Sequence, residues 1–177
     1  GNLIIIVNDN DMSIAENHGG IYGNLRLLRE TGGKAECNLF RAMGLDYRFV
    51  ADGNDLSAMI EALRAVKDAK KPVVLHIVTE KGKGFAPAEQ HKEDWHYCAP
   101  FDRETGKPLM STEGESWESI TTDFMLERMK RDPAVCMITS GTPTVLGFTE
   151  DKRRLAGRQF IDVGIAEENA VALASGI

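Results

Sequence analysis

The chain has 177 residues, 42% of them hydrophobic and 27% charged, a balance ordinary for a globular protein of one domain or two small ones. A net charge of −6 without a basic cluster argues against nucleic-acid partners, and no apolar run approaches the roughly 20 residues a membrane helix needs. Cys37, Cys98 and Cys136 are widely spaced with no CxxC, which fits reduced thiols in the cytoplasm better than disulfides or a zinc site.

Leu3 to Val7 is an unbroken, mostly β-branched apolar run, expected to be a strand buried on both faces inside a parallel sheet. The start Gly1-Asn2-Leu3 has no signal-peptide character, and a chain opening on such a strand reads as an excised piece. Asn8-Asp9-Asn10-Asp11 follows at the strand's C-terminal end, the edge where open α/β sheets bind ligands. Oxygen-rich side chains there suit a hard cation such as Mg²⁺ that shares its shell with phosphate, although an Asn/Asp-rich turn after a core strand has the same composition. Tyr22–Glu30 is expected to be a short helix stopped by Thr31-Gly32-Gly33, and Ala35–Met43 a second one closed by Gly44. A strand over Asp46–Ala51 leads through the turn Asp52-Gly53-Asn54-Asp55 into an amphipathic helix over Leu56–Ala69. Val73–Val78 is another buried strand, which completes a parallel crossover unit.

From Thr79 to about Glu115 no period holds, and glycines and prolines recur. The first half of that stretch reads as an active-site loop and the second as a linker. A new α/β unit starts at Ser116, with a helix through Ile120, Phe124, Leu126 and Met129 that ends near Asp132-Pro133. A strand over Ala134–Thr139, a helix over Val145–Leu155 and a strand over Phe160–Val163 follow. Ala166–Ile177 starts a helix that the chain leaves before any stop signal, so both ends read as cut within a fold.

Three segments carry the chemistry: Asn8 to Asn17 (NDNDMSIAEN), His76 to Glu89 (HIVTEKGKGFAPAE) and Phe160 to Val171 (FIDVGIAEENAV). In this order and at these intervals they resemble the 1-deoxy-D-xylulose-5-phosphate synthase family, thiamin-diphosphate enzymes of the transketolase superfamily. The resemblance covers essentially the whole chain. It implies an α/β fold made of parts of two doubly wound parallel-sheet domains that bind thiamin diphosphate. Residues 1–105 would belong to the diphosphate-binding domain, 106–115 to a linker and 116–177 to the pyrimidine-binding domain.

The resemblance also implies site residues. Asn10, with the backbone carbonyl of Met12, would be a metal ligand for Mg²⁺, and Ser13 and Ile14 would lie against the cofactor. Lys81 and Phe85 would contact it from the second segment, Phe85 standing where a Tyr is common. Glu167 would be catalytic: its carboxyl, held partly desolvated, would hydrogen-bond the aminopyrimidine ring and favour the imino form that removes the thiazolium C2 proton. His96 would lie near substrate. The implied reaction condenses pyruvate with glyceraldehyde 3-phosphate and releases CO₂, in a homodimer with no nucleic-acid or membrane partner.

The chain departs from the family pattern in several places. The Gly-Asp-Gly metal half would lie upstream of Gly1, and the stretch Glu16–Cys37 is short. Asn54 and Asn169 stand where His is usual, at positions able to touch substrate. Two alternatives therefore stay open at this point: transketolase-type transfer of a two-carbon ketol unit, and a non-catalytic α/β binding module.

Overall fold

A computed structural model describes residues 2–110 and 114–177 as a mixed α/β structure in which every strand pairing is parallel. The chain divides into two units, one holding residues up to Met12 and Asn17–Lys92, the other Ser13–Glu16 and Glu93–Ile177. Among the described residues no helix is long and apolar enough to cross a membrane.

The first unit is built on a three-stranded sheet of β1 (Ile4–Asp9), β2 (Asp46–Val50) and β3 (Val73–Val78), in the order β1-β3-β2. β3 is the strand that is buried as an apolar run should be, with Val73 to Ile77 all buried. The same expectation fails for β1. It is an edge strand with a neighbour on one side only, and Ile4 and Ile6 are exposed while Ile5 and Val7 are half-buried.

Three helices surround this sheet in sequence. α1 (Gly20–Glu30) starts two residues ahead of expectation and anchors through fully buried Leu28. α2 (Leu39–Ala42) is much shorter than Ala35–Met43, because the Asn38 side chain accepts the Phe40 and Arg41 N–H groups and so sets the start. α3 (Leu56–Val66) is capped by Asp55, which accepts from Ala58 N–H at 2.6 Å. It stops short of Ala69, whose N–H turns back to the Val66 carbonyl at 3.0 Å.

The irregular stretch after β3 contains one element the sequence reading missed, α4 (Ala86–Gln90), which Pro87 helps to start. The expected linker 106–115 lies partly outside the described residues, at 111–113.

The second unit opens with α5 (Trp117–Arg131), started by a reciprocal cap in which Ser116 and Ser119 bond each other's backbone N–H. β4 (Met137–Thr139) and β5 (Phe160–Asp162) form a two-stranded parallel sheet and are shorter than expected. The helix expected over Val145–Leu155 is interrupted. A short 3-10 turn, Thr144–Leu146, gives way at Gly147 (φ 78°), and α6 (Glu150–Ala156) starts anew. A side chain at Gly147 would come within 2.8 Å of the Glu118 carbonyl oxygen, so α5 lies directly against this break. Met129, Phe148 and Ala156 form the unit's core, with Phe148 stacked on Phe160 at 4.6 Å. α7 (Glu167–Ala174) ends inside the chain at Ser175, contrary to the expectation of a helix running on to Ile177.

Candidate functional site

Parallel pairing brings the C-terminal ends of β1, β2 and β3 together, and the three loops that leave them are tied to one another. Thr79 N–H donates to the Asp9 carbonyl at 3.0 Å, and the Thr79 hydroxyl donates to Asn8 Oδ1 at 2.5 Å. Gly53 N–H donates to the Val78 carbonyl at 2.7 Å, and Glu80 N–H to Asn54 Oδ1 at 2.8 Å. Asn54 therefore joins the loop after β2 to the loop after β3. The edge predicted to hold a ligand is a connected rim.

Beneath the rim lies a buried polar chain. Asp9 Oδ2 meets His76 Nε2 at 2.8 Å, and His76 Nδ1 meets the Tyr47 hydroxyl at 2.7 Å. Asp9 Oδ1 takes Arg29 Nη1 at 2.6 Å and Asp11 N–H at 3.3 Å. In the neutral ring the carboxylate fixes the proton on Nε2, so Nδ1 accepts from Tyr47. His76 is fully buried and ringed by Phe40, Tyr47 and Phe49. Burial works to raise the Asp9 pKa, but the hydrogen bonds from His76 and Arg29 and the Arg29 charge outweigh it and bring it to about 2. Burial pushes the Tyr47 phenol up to about 12.

Asn10 sits between Asp9 and Asp11 at the end of β1, and its Oδ1 accepts Met12 N–H at 3.0 Å. An amide oxygen has a second lone pair, so this bond leaves Asn10 able to ligate. Arg29 also bonds Asp11 through Nη2, and Asp11 holds a left-handed φ of 61°. The oxygens of Asn10 and the Met12 carbonyl are neutral, which fits a hard cation whose charge a diphosphate balances. Among the described residues no cluster of three or more His, Cys, Asp or Glu could hold a metal unaided. Ser13 and Ile14 are half-buried just beyond, and Ser13 N–H donates to the Ala15 carbonyl at 3.0 Å.

The loop after β3 is compact. Gly82 (φ 84°) lies so close to Ala88 that an added Cβ would stand 2.6 Å from its carbonyl carbon. Phe85 caps α4 by position, and Gly84 N–H donates to Glu89 Oε1 at 2.8 Å. Lys81 and Phe85 are half-buried, whereas Lys83 is exposed and paired with Glu80 at 2.9 Å. His96 is exposed in a turn of the second unit, its N–H on the Glu93 carbonyl at 3.1 Å.

In the second unit Glu167 is the first residue of α7, beyond the C-terminal end of β5. Asp162 sets the approach to it: its Oδ1 accepts both Gly141 and Gly164 N–H at 2.9 Å, drawing together the loops that leave β4 and β5. The expected partial desolvation of Glu167 is not met within the unit. Its side chain is exposed at the first position of α7. Asn169 is likewise exposed.

Sequence reasoning missed Asp9, Arg29, His76, Tyr47 and Asp162 as organisers of the site. The available signal was a histidine inside the apolar run Val73–Val78, a placement that demands polar partners. Which partners those are depends on strand register, which pairs Val7 with His76 and so sets Asp9 on the same face.

A family profile described as 1-deoxy-D-xylulose-5-phosphate synthase matches residues 30–79. A 1-deoxy-D-xylulose-5-phosphate synthase of Listeria monocytogenes is 36% identical over 99% of this chain and 30% of its own length. The enzyme of that name from Aquifex aeolicus is 32% identical over 99% of this chain and 33% of its own, and that from Nocardia farcinica 41% identical over 78% and 22%. The chain thus spans about a third or less of the curated relatives it matches.

Proposed function

The chain is a partial-length relative of the 1-deoxy-D-xylulose-5-phosphate synthases, and we propose that it serves the activity they are named for. In this reading it contributes to a thiamin-diphosphate-dependent transferase that condenses pyruvate with glyceraldehyde 3-phosphate, with loss of CO₂. The observation that carries the reading is the rim of loops around Asn10, in a chain that matches those enzymes along nearly all its length. Residues 1–105 would belong to a diphosphate-binding domain and 116–177 to a pyrimidine-binding domain, both doubly wound, and the working form would be a homodimer.

When bound, thiamin diphosphate would supply the carbon nucleophile and the electron sink that decarboxylation of pyruvate requires. The chain's own residues position and exchange protons. Asn10 Oδ1 and the Met12 carbonyl would offer oxygens to Mg²⁺, while Ser13, Ile14, Lys81 and Phe85 would border the cofactor. Glu167 shares a proton with the aminopyrimidine. His96 would act near the substrate. Asn54, already bonded to Glu80 N–H, holds the rim together in place of a His that could touch substrate.

The test is release of ¹⁴CO₂ from carboxyl-labelled pyruvate by the natural protein. Release that depends on glyceraldehyde 3-phosphate supports the reading. Turnover of a ketose phosphate donor without CO₂ would replace it with transketolase-type transfer.

A further inference from the structure

We propose that Arg29 is a positioning residue that sets what kind of cation the Asn10 loop accepts. By tying down the carboxylates on both sides of Asn10, it leaves neutral oxygens for a cation carried with diphosphate and denies the loop to a bare divalent cation. The inference rests on the cofactor reading above. Arg29 lies in the last turn of α1, and one guanidinium reaches two carboxylates, with Nη1 2.6 Å from Asp9 Oδ1 and Nη2 on Asp11 Oδ1. The planar guanidinium holds the two acceptors in a fixed geometry, whereas a lysine ammonium is a point charge on a flexible stem. The two carboxylates differ in freedom. Asp9 is 3% exposed and its other oxygen is held by His76, so it stays in place. Asp11 is 67% exposed and sits at a φ of 61°, which non-glycine residues seldom adopt. Released from Arg29, the Asp11 carboxylate could join the Asn10 and Met12 oxygens around a hard cation. The added negative charge would favour the bare ion and repel the diphosphate.

The experiment titrates the natural protein with Mn²⁺ alone and with Mn²⁺ plus thiamin diphosphate, reading both affinities by calorimetry. Arg29→Gln is expected to weaken Mn²⁺–thiamin diphosphate binding by about tenfold or more, as loss of an outer-shell partner does, while Mn²⁺ alone binds more tightly. Arg29→Lys should behave like Arg29→Gln despite keeping the charge. The double variant Arg29→Gln with Asp11→Asn should recover most of the cofactor affinity, since Asn tolerates the left-handed conformation and carries no charge. A purely structural Arg29 would weaken both titrations together, and Asp11→Asn would not rescue it; that result overturns the proposal. Each affinity is read from the protein that remains folded, so partial unfolding does not mimic the change in preference. Asn10→Ala separates the two levels. If it leaves Mn²⁺–thiamin diphosphate binding intact, the cofactor reading falls and the role of Arg29 with it. If it abolishes binding while Arg29→Gln changes neither affinity, the Arg29 proposal alone falls.

Discussion

Glu167 and Asp9 are carboxylates in opposite settings, and each invites its own test. Glu167→Gln keeps size and one hydrogen bond but cannot exchange a proton. Turnover of the natural protein should fall on the order of 100-fold or more with cofactor affinity little changed, checked by steady-state rates beside calorimetry. Near wild-type turnover would make Glu167 an ordinary first-turn residue favoured by the helix dipole. Asp9 has a folded pKa of about 2 against an ordinary 3.8, so the folded state binds its proton less readily than the unfolded chain. Its contribution to stability is therefore whole above about pH 4 and lost as the pH falls through 2. Urea midpoints of the wild type and Asp9→Asn should differ most near neutrality and converge toward pH 2. At this scale the sequence displayed Asn10 and Glu167, the residues proposed to meet a ligand, through their motifs. It did not display the partners of Asp9, because Arg29 and His76 reach it only through a helix position and a strand register that no local pattern encodes.

Among the elements, β3, α3 and α5 were legible because an apolar run or a helical period is a local property. Errors fell where one polar or glycine residue overrules the period. Asn38 sets the start of α2 by capping it, and Gly147 divides the helix expected over Val145–Leu155. β1 was recognised as a strand, but its burial depends on neighbours that its own residues do not reveal. The loop after β3 offers a test of such a glycine. Gly82→Ala would set a Cβ 2.6 Å from the Ala88 carbonyl carbon at a φ of 84°, so the loop holding Lys81 and Phe85 must open. The strain is worth about 1 kcal/mol or more, and thiamin diphosphate affinity should drop beyond what the melting temperature predicts. An unchanged affinity would remove this loop from the cofactor site.

At the scale of the whole molecule, each unit places its candidate residue at the C-terminal end of parallel strands, Asn10 after β1 and Glu167 after β5. That repetition is what an α/β protein offers a ligand. Exposed Ile6 (51%) in the first unit and exposed Trp117 (84%) and Val171 (68%) in the second are large apolar side chains of the kind that interfaces cover. This agrees with the proposed homodimer, and sedimentation of the natural protein should show a dimer whose weight does not change with dilution into the micromolar range. Asn10 and Glu167 are proposed to have separate duties toward thiamin diphosphate, holding and proton exchange. Calorimetric titration of thiamin diphosphate in Mg²⁺ into Asn10→Ala and Glu167→Gln tests this division most directly. Asn10→Ala should lose affinity on the order of 100-fold, about 2.7 kcal/mol, while Glu167→Gln stays within a few-fold of the wild type. Wild-type affinity in Asn10→Ala would contradict this division.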